Sequence, residues 1–171
     1  STITTLINND TISGTATNNG GRGILLSGSD ITNLTNDGTI SGSATGNTGR
    51  GINLFSSTIT NLTNDGTISG EAGNNFGNGI NLLNASTITN LRNDGTISGT
   101  AGATKGYGVI LSRASTLTTL TNTGTITGTA TVEDGAGVIV DQANSVITNL
   151  INHGTITGTA ANGAGGVIVD R

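Results

Sequence analysis

Much of what fills an ordinary globular core is missing. The 171 residues include no proline, cysteine, methionine or tryptophan, and aromatics make up only 2 % of the chain. So few large side chains could hardly fill a thick core. They suffice for a thin one, to which each turn of chain contributes a handful of aliphatics. The absence of cysteine excludes a disulfide framework. It also suits a protein that crosses an envelope unfolded, which points mildly to secretion. His153 is the only histidine, so neither a His-based triad nor a zinc cluster can be built. Charged residues are 9 % and the net charge is −4, without the basic stripe that nucleic acid requires. No run approaches the roughly 18 apolar residues of a membrane span. No signal peptide opens the chain, as expected of a mature fragment or a cytosolic protein.

What is present is glycine, 29 residues of it, with abundant Thr, Ser and Asn. Low charge with such residues can signal disorder, but apolar residues return here at fixed slots. The sequence ITNLTNDGTISG stands at Ile31–Gly42 and again at Ile59–Gly70, with near-copies from Ile3, Ile88, Leu117 and Ile147. The leucines Leu6, Leu34, Leu62, Leu91, Leu120 and Leu150 are spaced by 28, 28, 29, 29 and 30 residues. A period of this size means stacked structural units. The chain divides into six coils, approximately 1–28, 29–56, 57–85, 86–114, 115–144 and 145–171, of one solenoid.

Ser57–Ser86 serves as the reference coil. Thr58-Ile59-Thr60 alternates polar and apolar, Leu62 and Asn64 follow, and Asp65-Gly66 is a turn signal in which glycine permits positive φ. Thr67-Ile68-Ser69 alternates again. After a Gly/Asn-rich loop, Gly79 introduces Ile80-Asn81-Leu82. Alternation over such short runs is the strand period. Each coil therefore holds three strands of three to five residues, each too short to stand alone. Pairing with the same strand of the next coil is parallel, at about 4.8 Å. Crossovers between parallel strands are right-handed in the great majority of cases. The expected fold is all-β, a right-handed parallel β-helix. The absence of a six-residue period disfavours the left-handed hexapeptide form.

The slot of Ile68 recurs as Ile12, Ile40, Ile97, Ile126 and Ile156; those of Ile80 and Leu82 recur likewise. An alanine, Ala72 in the reference coil, marks a tight bend. Two residues after each marker leucine stands Asn8, Asn36, Asn64, Asn93, Asn122 or Asn152. Parity puts these six amides inside with the leucines, where they must be satisfied. A structural ladder that holds the turns is expected. Asn33, Asn61, Asn90 and Asn149 form a second, incomplete series.

Outward positions carry the candidate chemistry. Thr39/Ser41, Thr67/Ser69, Thr96/Ser98, Thr125/Thr127 and Thr155/Thr157 form Thr-x-Thr/Ser pairs on one face, and Thr58/Thr60, Thr87/Thr89 and Thr116/Thr118 on another. A regular array of β-branched hydroxyls resembles the ice-binding face of solenoid antifreeze proteins. Threonine is also simply a good exposed strand residue, and that reading is preferred. Asp37, Asp65 and Asp94 stack in Asn-Asp-Gly turns and read as turn chemistry rather than a carboxylate pair for catalysis. Asp10 replaces the glycine of the other coils, so the first bend is expected to differ. Arg22 and Arg50 are neighbours that could hold an anion. The Gly-x-Gly pairs, such as Gly49-Arg50-Gly51, precede strands and are not phosphate loops. Leu25, Ile110, Ile139 and Ile168 take the outward position held elsewhere by Asn53 and Asn81, which predicts an apolar strip, either exposed or covered by a segment outside the chain. Loops after the third strand lengthen along the chain, making their edge the place for individual contacts. No catalytic residue, metal or cofactor is expected.

The coils STITNLTNDGTISG…GxGINL resemble the repeats of β-helical passenger domains in bacterial autotransporters and related large surface adhesins. The resemblance covers all six coils. It implies a non-enzymatic, extracellular stalk or adhesin at a bacterial cell surface, binding protein or glycan ligands on other cells, with no membrane insertion of this segment. No proline, amphipathic helix or charged cap closes either end, so a piece of a longer solenoid, or end-to-end association of this one, is expected.

Overall fold

The computed structural model describes residues 1–170. No helix occurs among them. Coil one carries β1 (Thr2–Asn8), β2 (Thr11–Ala16) and β3 (Asn19–Ser27); coil two carries β4 (Asp30–Asn36), β5 (Thr39–Ala44) and β6 (Thr48–Phe55). Coil three carries β7 (Thr58–Asn64), β8 (Thr67–Ala72) and β9 (Phe76–Leu83); coil four carries β10 (Thr87–Asn93), β11 (Thr96–Ala101) and β12 (Lys105–Leu111). Coil five carries β13 (Thr116–Asn122), β14 (Thr125–Ala130) and β15 (Asp134–Val140), and coil six β16 (Val146–Asn152), β17 (Thr155–Thr159) and β18 (Gly163–Val169). The first, second and third strands of the coils form three six-stranded parallel sheets, stacked in coil order. The chain is thus a β-solenoid of about six turns.

The strands run five to nine residues, longer than the three to five expected. Pairing extends through the Gly/Asn-rich stretches because glycines there fall in register, Gly49 on Gly77 on Gly106 on Gly135. The Gly-x-Gly pairs accordingly lie inside strands, as Gly49-Arg50-Gly51 does in β6, rather than before them.

Inward side chains stack in register, Ile40 on Ile68 on Ile97 on Ile126. All four are fully buried, and each contributes about 1.5–3 kcal/mol of hydrophobic stabilisation. Between the second and third sheets the core thins to bare backbone. A Cβ on Gly99 would lie 1.8 Å from the Tyr107 carbonyl oxygen, and one on Gly106 1.8 Å from that of Thr129. The two sheets meet through glycine because any side chain would hold them apart.

The turn between first and second strands differs from expectation. Gly66 does not take a positive φ. Its Cβ would instead stand 2.0 Å from the Gly38 carbonyl oxygen of the preceding coil, so stacking rather than backbone handedness demands glycine. This also explains Asp10, which has no described coil on that side. Its bend is not altered: Thr39 N donates to Asp10 O at 2.7 Å, as Thr67 N does to Gly38 O at 2.8 Å. Left-handed residues cluster at the corner after the third strand, at Gly28, Ser56, Asn84, Ala85, Arg113, Ala114, Gln142 and Asn144. That corner does lengthen along the chain, from residues 56–57 through 84–86 and 112–115 to 141–145.

Candidate binding groove and structural ladders

Alternation along the third strands of coils one to five breaks at the second Gly-x-Gly glycine. In β12, Gly106 points inward and Tyr107 outward. Gly108 then faces the core, its Cβ position 2.5 Å from Ile126 Cγ2, and Val109 faces the core as well. Two consecutive inward residues bend the strand, so that the flanking outward side chains, Tyr107 and Ile110, converge in a concave angle on the outer surface. The same bend recurs in register through the third sheet. It creates a groove along the solenoid axis with two rows of side chains. One row is Arg22, Arg50, Asn78, Tyr107 and Ala136; the other is Leu25, Asn53, Asn81, Ile110 and Ile139.

The apolar strip expected to be exposed or covered from outside is buried in its middle by the chain itself. Ile110 is 9 % and Ile139 6 % exposed, packed with Tyr107 and Ala136; Ile168 is half-buried against them, and Leu25, at 51 %, is open. Self-covering by the concave bend is the reason. The middle of the groove has a volume of about 280 Å³ and is lined by Arg50, Phe76, Asn78, Asn81, Ile110 and Arg113 among others. Its far wall comes from the corner of left-handed residues, through Arg113 and Gln142.

The groove is polar at one end and apolar at the other. Asn81 Nδ2 donates to Asn53 Oδ1 at 2.7 Å, and Asn78 Nδ2 reaches Asn81 Oδ1 at 3.5 Å. Arg50 and Arg22 form no ion pair within 4.0 Å among the described residues. The Nε atoms of both, and Asn78 Oδ1, are buried without a hydrogen-bond partner. Burial, and then the like charge of Arg22, lower the Arg50 pKa to about 10. At the apolar end burial holds the Tyr107 hydroxyl well above its ordinary pKa, reinforced by the Asp134 carboxylate.

The six inward asparagines form one continuous ladder. Asn8, Asn36, Asn64, Asn93 and Asn122 each donate from Nδ2 to Oδ1 of the next, every time at 2.7 Å. Each Nδ2 also faces two backbone carbonyls; for Asn64 these are Gly66 at 3.2 Å and Thr96 at 3.1 Å. Asn36, Asn64, Asn93 and Asn122 are fully buried, and the terminal Asn152 is exposed. The second series is outward and runs with reversed polarity, Asn90 to Asn61 to Asn33, each at 2.9 Å.

Two further ladders do not stand out from the sequence. Ser57, Ser86 and Ser115 are buried at the corner after the third strand, where each Oγ accepts from the backbone N–H of the serine slot before it, Ser57 N to Ser86 Oγ at 3.3 Å. Their one signal is a serine before Thr-Ile-Thr or Thr-Leu-Thr in successive coils. Asn19, Asn47 and Asn75 form an exposed ladder between the second and third strands.

The outward face of the second sheet is a three-column array of hydroxyls in register. Thr39, Thr67, Thr96, Thr125 and Thr155 form one column, and Ser41, Ser69, Ser98, Thr127 and Thr157 the next; Glu71 interrupts the third. Most are half-exposed. Asp65 and Asp94 are bridged by Arg92, which lies 3.7 Å from Asp65 and in direct contact with Asp94. Desolvation and then Asp94 raise the Asp65 pKa, against the pull of Arg92. Asp94 also accepts from Thr123. His153 is exposed, and no three His, Cys, Asp or Glu converge on a metal position among the described residues. No protein-family model, curated protein or solved structure matches the chain.

Proposed function

We propose that the chain works as a non-enzymatic solenoid rod at a bacterial cell surface, a stalk or passenger segment of an extracellular adhesin that presents ligand-contacting side chains at fixed axial spacing. One contrast carries this reading. Inward apolar slots stay aliphatic from coil to coil, whereas the outer groove of the third sheet changes in character along the axis, from Arg22 and Arg50 through Asn78 to Tyr107 and Ala136 in one row and from Leu25 through Asn53 and Asn81 to Ile110 and Ile139 in the other. A uniform interior makes a rigid support, and variation confined to one side is where recognition of individual ligands belongs. The bridged Asp65–Arg92–Asp94 stack supports a turn role for those carboxylates.

The test is adhesion under flow. Beads coated with the 171-residue protein should attach saturably to cultured animal cells or to neighbouring bacteria, and free protein should compete. Attachment no better than that of albumin-coated beads to either would overturn the reading.

A second reading, ice binding through the Thr/Ser face, is favoured by the flat in-register columns of the second sheet. Glu71, central in that face, and the serine-rich second column weigh against it.

A further inference from the structure

We infer that the polar end of the outer groove, centred on Arg22 and Arg50, binds the carboxylate of an acidic saccharide. This deepens the ligand-presenting reading of the rod and rests on it.

Arg22 and Arg50 are register partners one coil apart. A guanidinium keeps its charge at any physiological pH, so it cannot escape desolvation by neutralising. Two such groups side by side, with Asp141 lining the same groove but no carboxylate within 4.0 Å of either among the described residues, repel in a partly desolvated place. Neither Nε has a partner. Among the described residues the only side-chain hydrogen bond from the pair is a long one, Arg22 Nη1 to Gly20 O at 3.5 Å. An anion lying across both would satisfy these donors in the forked geometry that arginine offers a carboxylate.

The next coil decides what the anion is attached to. Asn78 is 2 % exposed, lines the groove, and has an unpartnered Oδ1. That oxygen requires an O–H or N–H donor, which an inorganic anion in its fully ionised form lacks and a sugar hydroxyl supplies. Beyond it, Ile110 lines the groove and provides an apolar floor for the C–H face of a sugar ring. A carboxylate, then a hydroxyl, then an apolar face, met at intervals of about 4.8 Å along the axis, describe an acidic oligosaccharide lying along the groove. A peptide would need strand edges for its backbone hydrogen bonds. In the third sheet, β6, β9, β12 and β15 are paired on both sides, so the groove offers a face and no edge.

The probe is a glucuronate-containing hyaluronan tetrasaccharide, titrated into the 171-residue protein by calorimetry and by ¹H–¹⁵N spectra of the arginine Nε–H groups. The tetrasaccharide should bind with shifts at two arginine Nε–H signals. Neutral chitotetraose should bind far more weakly. Arg50→Gln should weaken the tetrasaccharide by about tenfold or more, the loss of a charged hydrogen bond, and Asn78→Ala by a smaller factor, with unchanged circular dichroism in both. Equal affinity for sulfate would reduce the site to a simple anion site and overturn the saccharide assignment. So would equal binding of chitotetraose, tighter binding of a carboxyl-terminal acidic tetrapeptide, or indifference of the tetrasaccharide to Arg50→Gln. If beads coated with the Arg50→Gln variant adhere like wild type while the tetrasaccharide fails to bind, this site is refuted and the adhesive rod survives.

Discussion

Asn64 Nδ2 lies 2.7 Å from Asn93 Oδ1, one coil further along, and the two amides are fully buried. Each of the four interior amides of this series is both donor to the coil ahead and acceptor from the coil behind, so the coils are tied by side chains as well as by backbone. Removing Asn64 takes the amide donor from Asn93 Oδ1 and the shortest acceptor from Asn36 Nδ2, in a place that water does not reach. Asn64→Leu should therefore destabilise by roughly 1–3 kcal/mol. Asn90→Leu, in the exposed outward series, should stay within about 0.5 kcal/mol of wild type. Urea midpoints decide; coincidence of the Asn64→Leu and wild-type curves refutes the ladder's role.

Backbone contact between the second and third sheets makes Gly99 intolerant. A methyl at Gly99 meets the Tyr107 carbonyl at 1.8 Å and must push the sheets apart. Gly99→Ala should cost about 3 kcal/mol or more. Gly28 meets nothing within 4 Å but has φ +56°, so Gly28→Ala should cost only about 1–2 kcal/mol of backbone strain. Reversal of that order in thermal unfolding would mean the sheets can separate freely.

Alkaline pH separates two groove residues of opposite sign. Tyr107 is held neutral by burial and then by Asp134. Unfolded tyrosine ionises near about 10, so Tyr107's contribution is intact below that pH and is lost as pH rises above it, with a slope approaching about 1.4 kcal/mol per unit. Arg50, lowered to about 10 by burial and Arg22, works the other way: its charge costs stability at neutral pH and the cost is relieved above about 10. Tyr107→Phe should abolish the alkaline loss, and Arg50→Gln should raise the unfolding midpoint at pH 7 in the absence of ligand. A lower midpoint for Arg50→Gln would show a favourable contact of its guanidinium within the free protein.

The hydroxyl face should leave ice alone. Glu71 places a carboxylate among Ser43, Thr100 and their neighbours, interrupting the third column. Purified protein should neither shape ice crystals nor depress freezing beyond its colligative effect. Faceted crystals at micromolar protein would make the face a site.

The last coil exposes apolar surface. Val167 and Val169 are 48 % and 70 % exposed, and a cavity of about 470 Å³ opens beside Val140, Val146 and Val169. At the other end Ile3 and Ile7 are 47 % and 60 % exposed. In the 171-residue polypeptide taken by itself, whose outermost strands have no partner among the described residues, these surfaces should drive end-to-end association, seen as a mass rising with concentration in light scattering. A strictly monomeric mass at millimolar protein would exclude it.

The stacking was legible from residues alone. A leucine and an asparagine returning together at every coil can repeat in that way only if each coil meets the next in one register, and the inward side follows from parity. Parity is also where legibility stopped. The groove exists because Gly108 and Val109 both face the core, and a glycine has no side chain whose polarity reveals the direction it points. Burial of Ile110 in an outward slot, and the lack of a hydrogen-bond partner for Arg50 Nε and Asn78 Oδ1, follow from that bend. Likewise Gly66 reads as a turn residue in a line of text, and only the coil beneath it shows that the missing methyl makes room for a carbonyl. Sequence periodicity encodes which residues lie above one another; the angle at which three sheets meet depends on how closely their backbones approach, and that distance is set in space.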